Sequence, residues 1–152
     1  MLIKSSTDKT VNETAAALQA AVQANHFGVM QVHNLKETMN RKGVEFVHEC
    51  LIFEVCQPQQ ATKVLDENMS VSTALPCRIS IYEEGGKTIL ATLKPTTLLA
   101  MFNSPQLEGV ARGGGDHDCQ NHGRSGGRMI SSLLTSKHTI DRFVSGSPLR
   151  HR

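Results

Sequence analysis

The chain has 152 residues and a mass of 16.6 kDa, enough for one domain with its own core, and it has no Trp, so that core must be aliphatic. Its net charge of +2 is uneven: nine Lys/Arg face eleven Asp/Glu up to Ala111, whereas seven face three from Arg112 onward, so the body is no nucleic-acid-binding surface and the basicity belongs to the tail. No run approaches the ~20 apolar residues of a membrane span, MLIKSSTDKT lacks the apolar stretch of a signal peptide, and four cysteines without a pairing pattern read as reduced thiols of a cytoplasmic protein.

Leu2-Ile3-Lys4 reads as a short first strand. Thr10-Val-Asn-Glu13 has the form of a capping box, in which the Thr hydroxyl takes the Glu amide and the carboxylate returns to the cap. Val11, Ala15, Leu18 and Val22 then make an apolar stripe at helical spacing, which predicts an amphipathic helix over residues 10–25. Val29 to His33 is a second strand. Asn34 and Glu37 open a short helix with Leu35 and Met39 inward and Gly43 at its stop. Phe46 to Gln57 reads as the longest strand, with Val47, Leu51, Phe53 and Val55 on one face and Phe46, His48, Cys50, Ile52, Glu54 and Cys56 on the other. Bulk on both faces predicts a central strand covered on both sides. Pro58 is placed to begin a helix with Ala61, Val64 and Leu65 inward; Asn68 to Ala74 is a loop; Pro95 to Phe102 is a short apolar helix or turn.

Between these lies Leu75 to Lys94, the clearest hairpin in the chain. Ile79 and Ile81 alternate with polar residues, as do Ile89, Ala91 and Leu93, the last three with a less polar set. A two-residue Gly85-Gly86 turn would set Tyr82 opposite Ile89 and mix the faces. A three-residue Glu84-Gly85-Gly86 loop sets Ile81 opposite Ile89, Ile79 opposite Ala91 and Cys77 opposite Leu93, with the apolar side chains together, and is the expected register. Cys77 then points to the core. The order β-α-β-α-β-α-β-β, with room for a final helix, predicts an α+β domain on a largely antiparallel sheet.

Four stretches together resemble the domain-of-unknown-function 302 family: Phe27-Gly28-Val29, the NLKETMNRKG helix, the strand IFEVCQP from Ile52 to Pro58, and ALPCRISIYEEGGKT from Ala74 to Thr88. Coverage runs from about Leu2 to Ala111. The resemblance implies a small α+β fold of TATA-binding-protein-like topology, a homodimer, and no established activity or cofactor; fold alone licenses none.

That family ends in an amphipathic helix. Here the helix starts at Pro105 to Arg112 and gives way at Gly113-Gly-Gly-Asp-His-Asp-Cys-Gln-Asn-His. Read from the second base of each codon, Gly113 onward permits EVETTIVKIMDEA, which continues the Leu107, Val110, Ala111 stripe, and Met129-Ile130 then forces a stop. The expected organisation is an α+β domain over 1–112 and, over 113–152, an irregular basic tail that is the product of a frameshift; the coding DNA from Ala111 to Ile130 is its direct check. His117, Cys119 and His122, with Asp116 and Asp118, match no standard zinc spacing, so no biological metal site is expected there, only adventitious binding.

The candidate chemistry is thiol-centred. Cys77 follows Pro76 and precedes Arg78, and a neighbouring cation favours thiolate; the alternative is a small buried core residue. Cys50 and Cys56 sit roughly 20 Å apart along one strand, too far to pair, and either can approach Cys77. His33 and His48 allow a Cys/His nucleophilic pair, although no third group is seen to orient the imidazole. Glu49, Glu54, Glu83 and Glu84 are candidate acids, Glu83 and Glu84 more simply solvated charges of a turn. The expected function is small-molecule binding by a homodimeric accessory protein, in a pocket lined by His33, His48, Cys50, Cys56, Cys77 and Arg78. The alternatives are sulfur transfer or redox sensing through Cys77, and an interaction module with no ligand. Neither nucleic acid nor membrane is expected as a partner.

Overall fold

Every strand finds an antiparallel neighbour. The computed structural model describes residues 2–102, in which β1 (Leu2–Thr7), β2 (Gly28–Asn34), β3 (Cys50–Cys56), β4 (Cys77–Glu84) and β5 (Lys87–Leu93) form one sheet in the order β1-β5-β4-β3-β2. The helices are α1 (Val11–Ala24), α2 (Leu35–Arg41), α3 (Pro58–Glu67) and α4 (Pro95–Ala100), with a 3-10 helix at Met69–Ala74 where a loop was expected. The fold is α+β, as the order of elements predicts. The expected frameshifted tail, with its His117, Cys119 and His122, lies outside the described residues.

The α1 cap forms as read: Thr10 Oγ1 accepts the Glu13 N–H at 3.3 Å and Glu13 Oε2 accepts the Thr10 N–H at 2.8 Å. The Thr10 N–H and, at 2.9 Å, the Thr10 hydroxyl, both donating to the Glu13 carboxylate, hold it below its usual range. Val11, Leu18 and Val22 bury their stripe against Phe53 and Val55 of β3, Ile79 and Ile81 of β4, and Leu90 of β5. At its other end α1 closes with the Phe27 N–H on Val22 O at 3.0 Å, which places His26 at φ +60. A left-handed position is strained for a residue with a Cβ. His26→Gly should therefore raise stability by about 0.5–1 kcal/mol in urea titrations; no gain would mean that the imidazole makes a compensating contact.

The hairpin corrects the expected register. Gly85 and Gly86 take φ +61 and +74, and the turn has two residues, so Tyr82 lies opposite Ile89, Ser80 opposite Ala91 and Ile81 opposite Leu90. Two consecutive left-handed residues make the tight turn whose twist matches the strands. Mixing the faces carries no penalty, because β5 is buried on both: Thr88, Ile89, Leu90, Ala91 and Thr92 are all buried. The face of the sheet that carries Leu51, Phe53, Val55, Ile79, Ile81 and Leu90 meets α1. The opposite face carries Leu2, Ser80, Tyr82, Ala91 and Leu93, together with Cys50, Ile52, Glu54 and Arg78.

The strand expected over Phe46 to Gln57 begins only at Cys50. Asn40 occupies both backbone groups of Phe46, accepting its N–H at 2.9 Å and donating to its carbonyl at 3.3 Å, so this stretch is satisfied without a ladder. β3 is also covered less than expected: Phe53 and Val55 are buried, and Cys50, Ile52, Glu54 and Cys56 are half-buried. Met39, expected inward, is 36% exposed, since α2 buries no residue. A second, smaller cluster joins Val64 of α3 and Val71 of the 3-10 helix to Leu75, Leu99 and Phe102.

Candidate functional site

A cleft of about 460 Å³ opens on the sheet face away from α1. Its floor is Leu2 of β1, Ser80 and Tyr82 of β4, and Ala91 and Leu93 of β5, side chains that the antiparallel register brings to one face. Its wall is the segment from Thr73 to Pro76 together with Leu98 of α4, with a cis Leu75–Pro76 peptide at the corner. Arg78 closes one side. The walls are largely aliphatic, and the polar groups are few and local: the Ser80 and Tyr82 hydroxyls, the Thr73 hydroxyl and the guanidinium. That combination of an apolar cleft and a few convergent polar groups is the usual form of a small-molecule site.

Glu54 organises the polar edge of this face. Its Oε1 lies 3.3 Å from Arg78 Nε and 3.2 Å from His33 Nε2, and its side chain is only 17% exposed. The pairing follows from register, because Glu54 is opposite Arg78 in β4 and next to Gln31 and His33 in β2. A carboxylate thus orients His33, a partner that the one-dimensional sequence did not reveal. The Arg78 guanidinium keeps four further N–H donors beyond the Nε–H given to Glu54. On the same face Lys4 lies 5.7 Å from the Tyr82 ring centre and 3.4 Å from Glu84. Glu49 is taken up by Lys36.

The expected site residues do not all meet. Cys77 and Arg78 line the cleft, whereas His33, His48, Cys50 and Cys56 are not among its lining residues. His48 lies before β3 and packs edge-on to Phe46, with ring centres 5.5 Å apart. Cys50 and Cys56 share the cleft's face of the sheet, farther toward its edge. Cys77 packs against the α1-side core, opposite Val55, while Arg78, one residue on, points to the other face. The cation therefore does not activate this thiol. Burial pushes Cys77 up to about 11, with Cys56 adding to the effect, and burial also raises Cys50 and Cys56. All three are free. Among the described residues, no group of three or more His, Cys, Asp or Glu is placed to hold a metal ion.

Of the cleft residues, sequence reasoning found only Cys77 and Arg78; it missed the floor of Leu2, Ser80, Tyr82, Ala91 and Leu93 and the wall of Thr73 to Pro76 and Leu98. The available signal was β5 itself: Leu90 between Ile89 and Ala91 puts apolar side chains in both phases of the alternation, which marks a second covered face.

A family model, "Domain of unknown function DUF302", matches residues 3–116. Among solved structures, the chain is similar to the crystal structure of an uncharacterized conserved protein DUF302 from Bacillus stearothermophilus, with 26% identity, 95% of each chain covered and a TM-score of 0.69. No curated protein matches.

Proposed function

Since the chain belongs to the DUF302 family, which carries no activity to transfer, we propose its function from the cleft: a cytoplasmic, homodimeric binding protein for a small, mainly apolar molecule that bears one anionic or hydrogen-bonding group. The observation that carries this reading is the joining of Leu2, Ala91, Leu93 and Leu98 with Arg78, Ser80 and Tyr82 around one volume. The aliphatic walls supply affinity by removing apolar surface from water. The guanidinium, anchored by Glu54, and the two hydroxyls fix the polar end. Sulfur transfer or redox sensing through Cys77 has no such support, because the half-buried thiol packs toward the α1-side core, is held in its protonated form by desolvation and is turned from Arg78.

The test uses 1-anilinonaphthalene-8-sulfonate, an apolar ring system with one anionic group. Native protein should bind it saturably. Ala91→Leu, which places a larger side chain in the cleft floor, should weaken binding by about tenfold, a loss of about 1.4 kcal/mol, and Arg78→Gln should weaken it less, each measured on protein shown to be folded by circular dichroism. Absence of saturable binding, or equal binding by a folded Ala91→Leu variant, would refute the reading and leave an interaction module without a ligand.

A further inference from the structure

The two edges of the sheet are unlike. The β1 edge is charged: Lys4 pairs with Glu84, and Asp8, just beyond the strand, pairs with Lys87. The β2 edge, Gly28 to Asn34, has no Lys, Arg, Asp, Glu or Pro, yet Met30, Gln31, Val32 and His33 are all exposed, Met30 at 63% and Val32 at 39%. Exposed edge strands usually carry charge, proline or cover, because their free backbone groups otherwise recruit another strand. Five of the nine exposed large hydrophobic side chains among the described residues fall between Met30 and Val47, in β2, α2 and the connection to β3: Met30, Val32, Met39, Val44 and Val47. An uncharged edge and an apolar flank thus occur in one continuous segment.

We propose that β2 is the dimer interface, pairing antiparallel with β2 of a second copy so that the two five-stranded sheets become one of ten strands. The proposal rests on the homodimer reading above and gives it a location. The occupant is a second copy because this edge is self-complementary. With the two-fold axis at Val32, Val32 faces its own counterpart and Gln31 faces the second copy's His33, and these pairs fall on opposite faces as the pleat requires. His33 already turns Nε2 to Glu54, so its Nδ1 is the nitrogen left for the Gln31 carboxamide of the other copy. No two like charges are set opposite one another, since the strand has none. The register shift between Val29 and Gln31 ends the regular segment on one side and Asn34, the α2 cap, ends it on the other. Pairing of Gln31, Val32 and His33 alone buries too little for a stable dimer, and in this proposal the exposed Met39, Val44 and Val47 of the following segment supply the remaining surface.

Sedimentation velocity tests this with four samples: wild type, Val32→Lys, Val32→Glu, and an equimolar mixture of the two variants. The wild type should be a dimer. Each variant should be a folded monomer by circular dichroism, because two like charges then meet at the axis, weakening association at least about tenfold. The mixture should return to a dimer, since opposite charges then face each other. A wild-type dimer that persists in both single variants would place the interface elsewhere and leave the homodimer reading intact. A monomeric wild type would remove both. A mixture that stays monomeric would overturn the register centred on Val32.

Discussion

Replacing Ile81 with Ala should cost about 3–4 kcal/mol of unfolding free energy. Ile81 is fully buried, and its strand partners on either side are Leu51 in β3 and Leu90 in β5, so it is flanked across the sheet and covered by α1. A domain of this size has roughly 5–15 kcal/mol in all, so the loss removes a large part of the total and should lower the melting temperature by at least about 12 °C. Urea titration of the two proteins measures it. Ser80→Ala, one residue away on the opposite face, should stay within about 0.5 kcal/mol. A cost below about 1 kcal/mol for Ile81→Ala would mean that the α1-facing layer is not the core.

Alkali should destabilise the fold through Cys77. Burial raises this thiol from 9.0 to about 11, so above the unfolded value the unfolded chain releases a proton that the folded one retains. Stability from this group is then fully present below about pH 9 and is lost as pH rises toward about 11. Two pH units correspond to at most about 3 kcal/mol, an upper value for a residue that is half-buried overall. Lysines and tyrosine titrate in the same range, so the quantity to measure is the difference from Cys77→Val, whose side chain has no proton to lose. The variant should become the more stable of the two, relative to neutral pH, as pH climbs through that window. Parallel pH profiles would place Cys77 in water and reopen thiol chemistry.

Local signals were legible in the sequence and relations across strands were not. The Thr10–Glu13 cap and the Val11, Leu18, Val22 stripe are contained in one segment, and both form as read. The hairpin was legible as a hairpin, but its register was inferred by gathering apolar residues on one face, and that rule fails when a strand is buried on both. β5 is such a strand, and the cleft sits where Ala91 and Leu93 share a face with Ser80 and Tyr82, a grouping that the rule excluded. The same limit explains Phe46 to Glu49: alternation continues there, but Asn40 claims the backbone of Phe46 from six residues away. Glu54 read as a candidate acid without partners because neither His33 nor Arg78 is near it in sequence; the registers of β2 and β4 bring both to the same carboxylate oxygen.

These corrections change the functional reading. A core-facing Cys77 beside Arg78 suggests an activated thiol only while both point the same way. Alternation sends them to opposite faces, and what remains on the cleft side is a guanidinium, two hydroxyls and aliphatic walls. Recognition of a small molecule needs those groups and no nucleophile.

Native mass spectrometry of the purified chain, before and after mild acid treatment and beside Ala91→Leu, tests that claim most directly. The account predicts a dimer with one constant added mass per chain, lost in acid and absent from the variant. A wild-type protein that carries no added mass, and acquires none with anilinonaphthalene sulfonate, would contradict it.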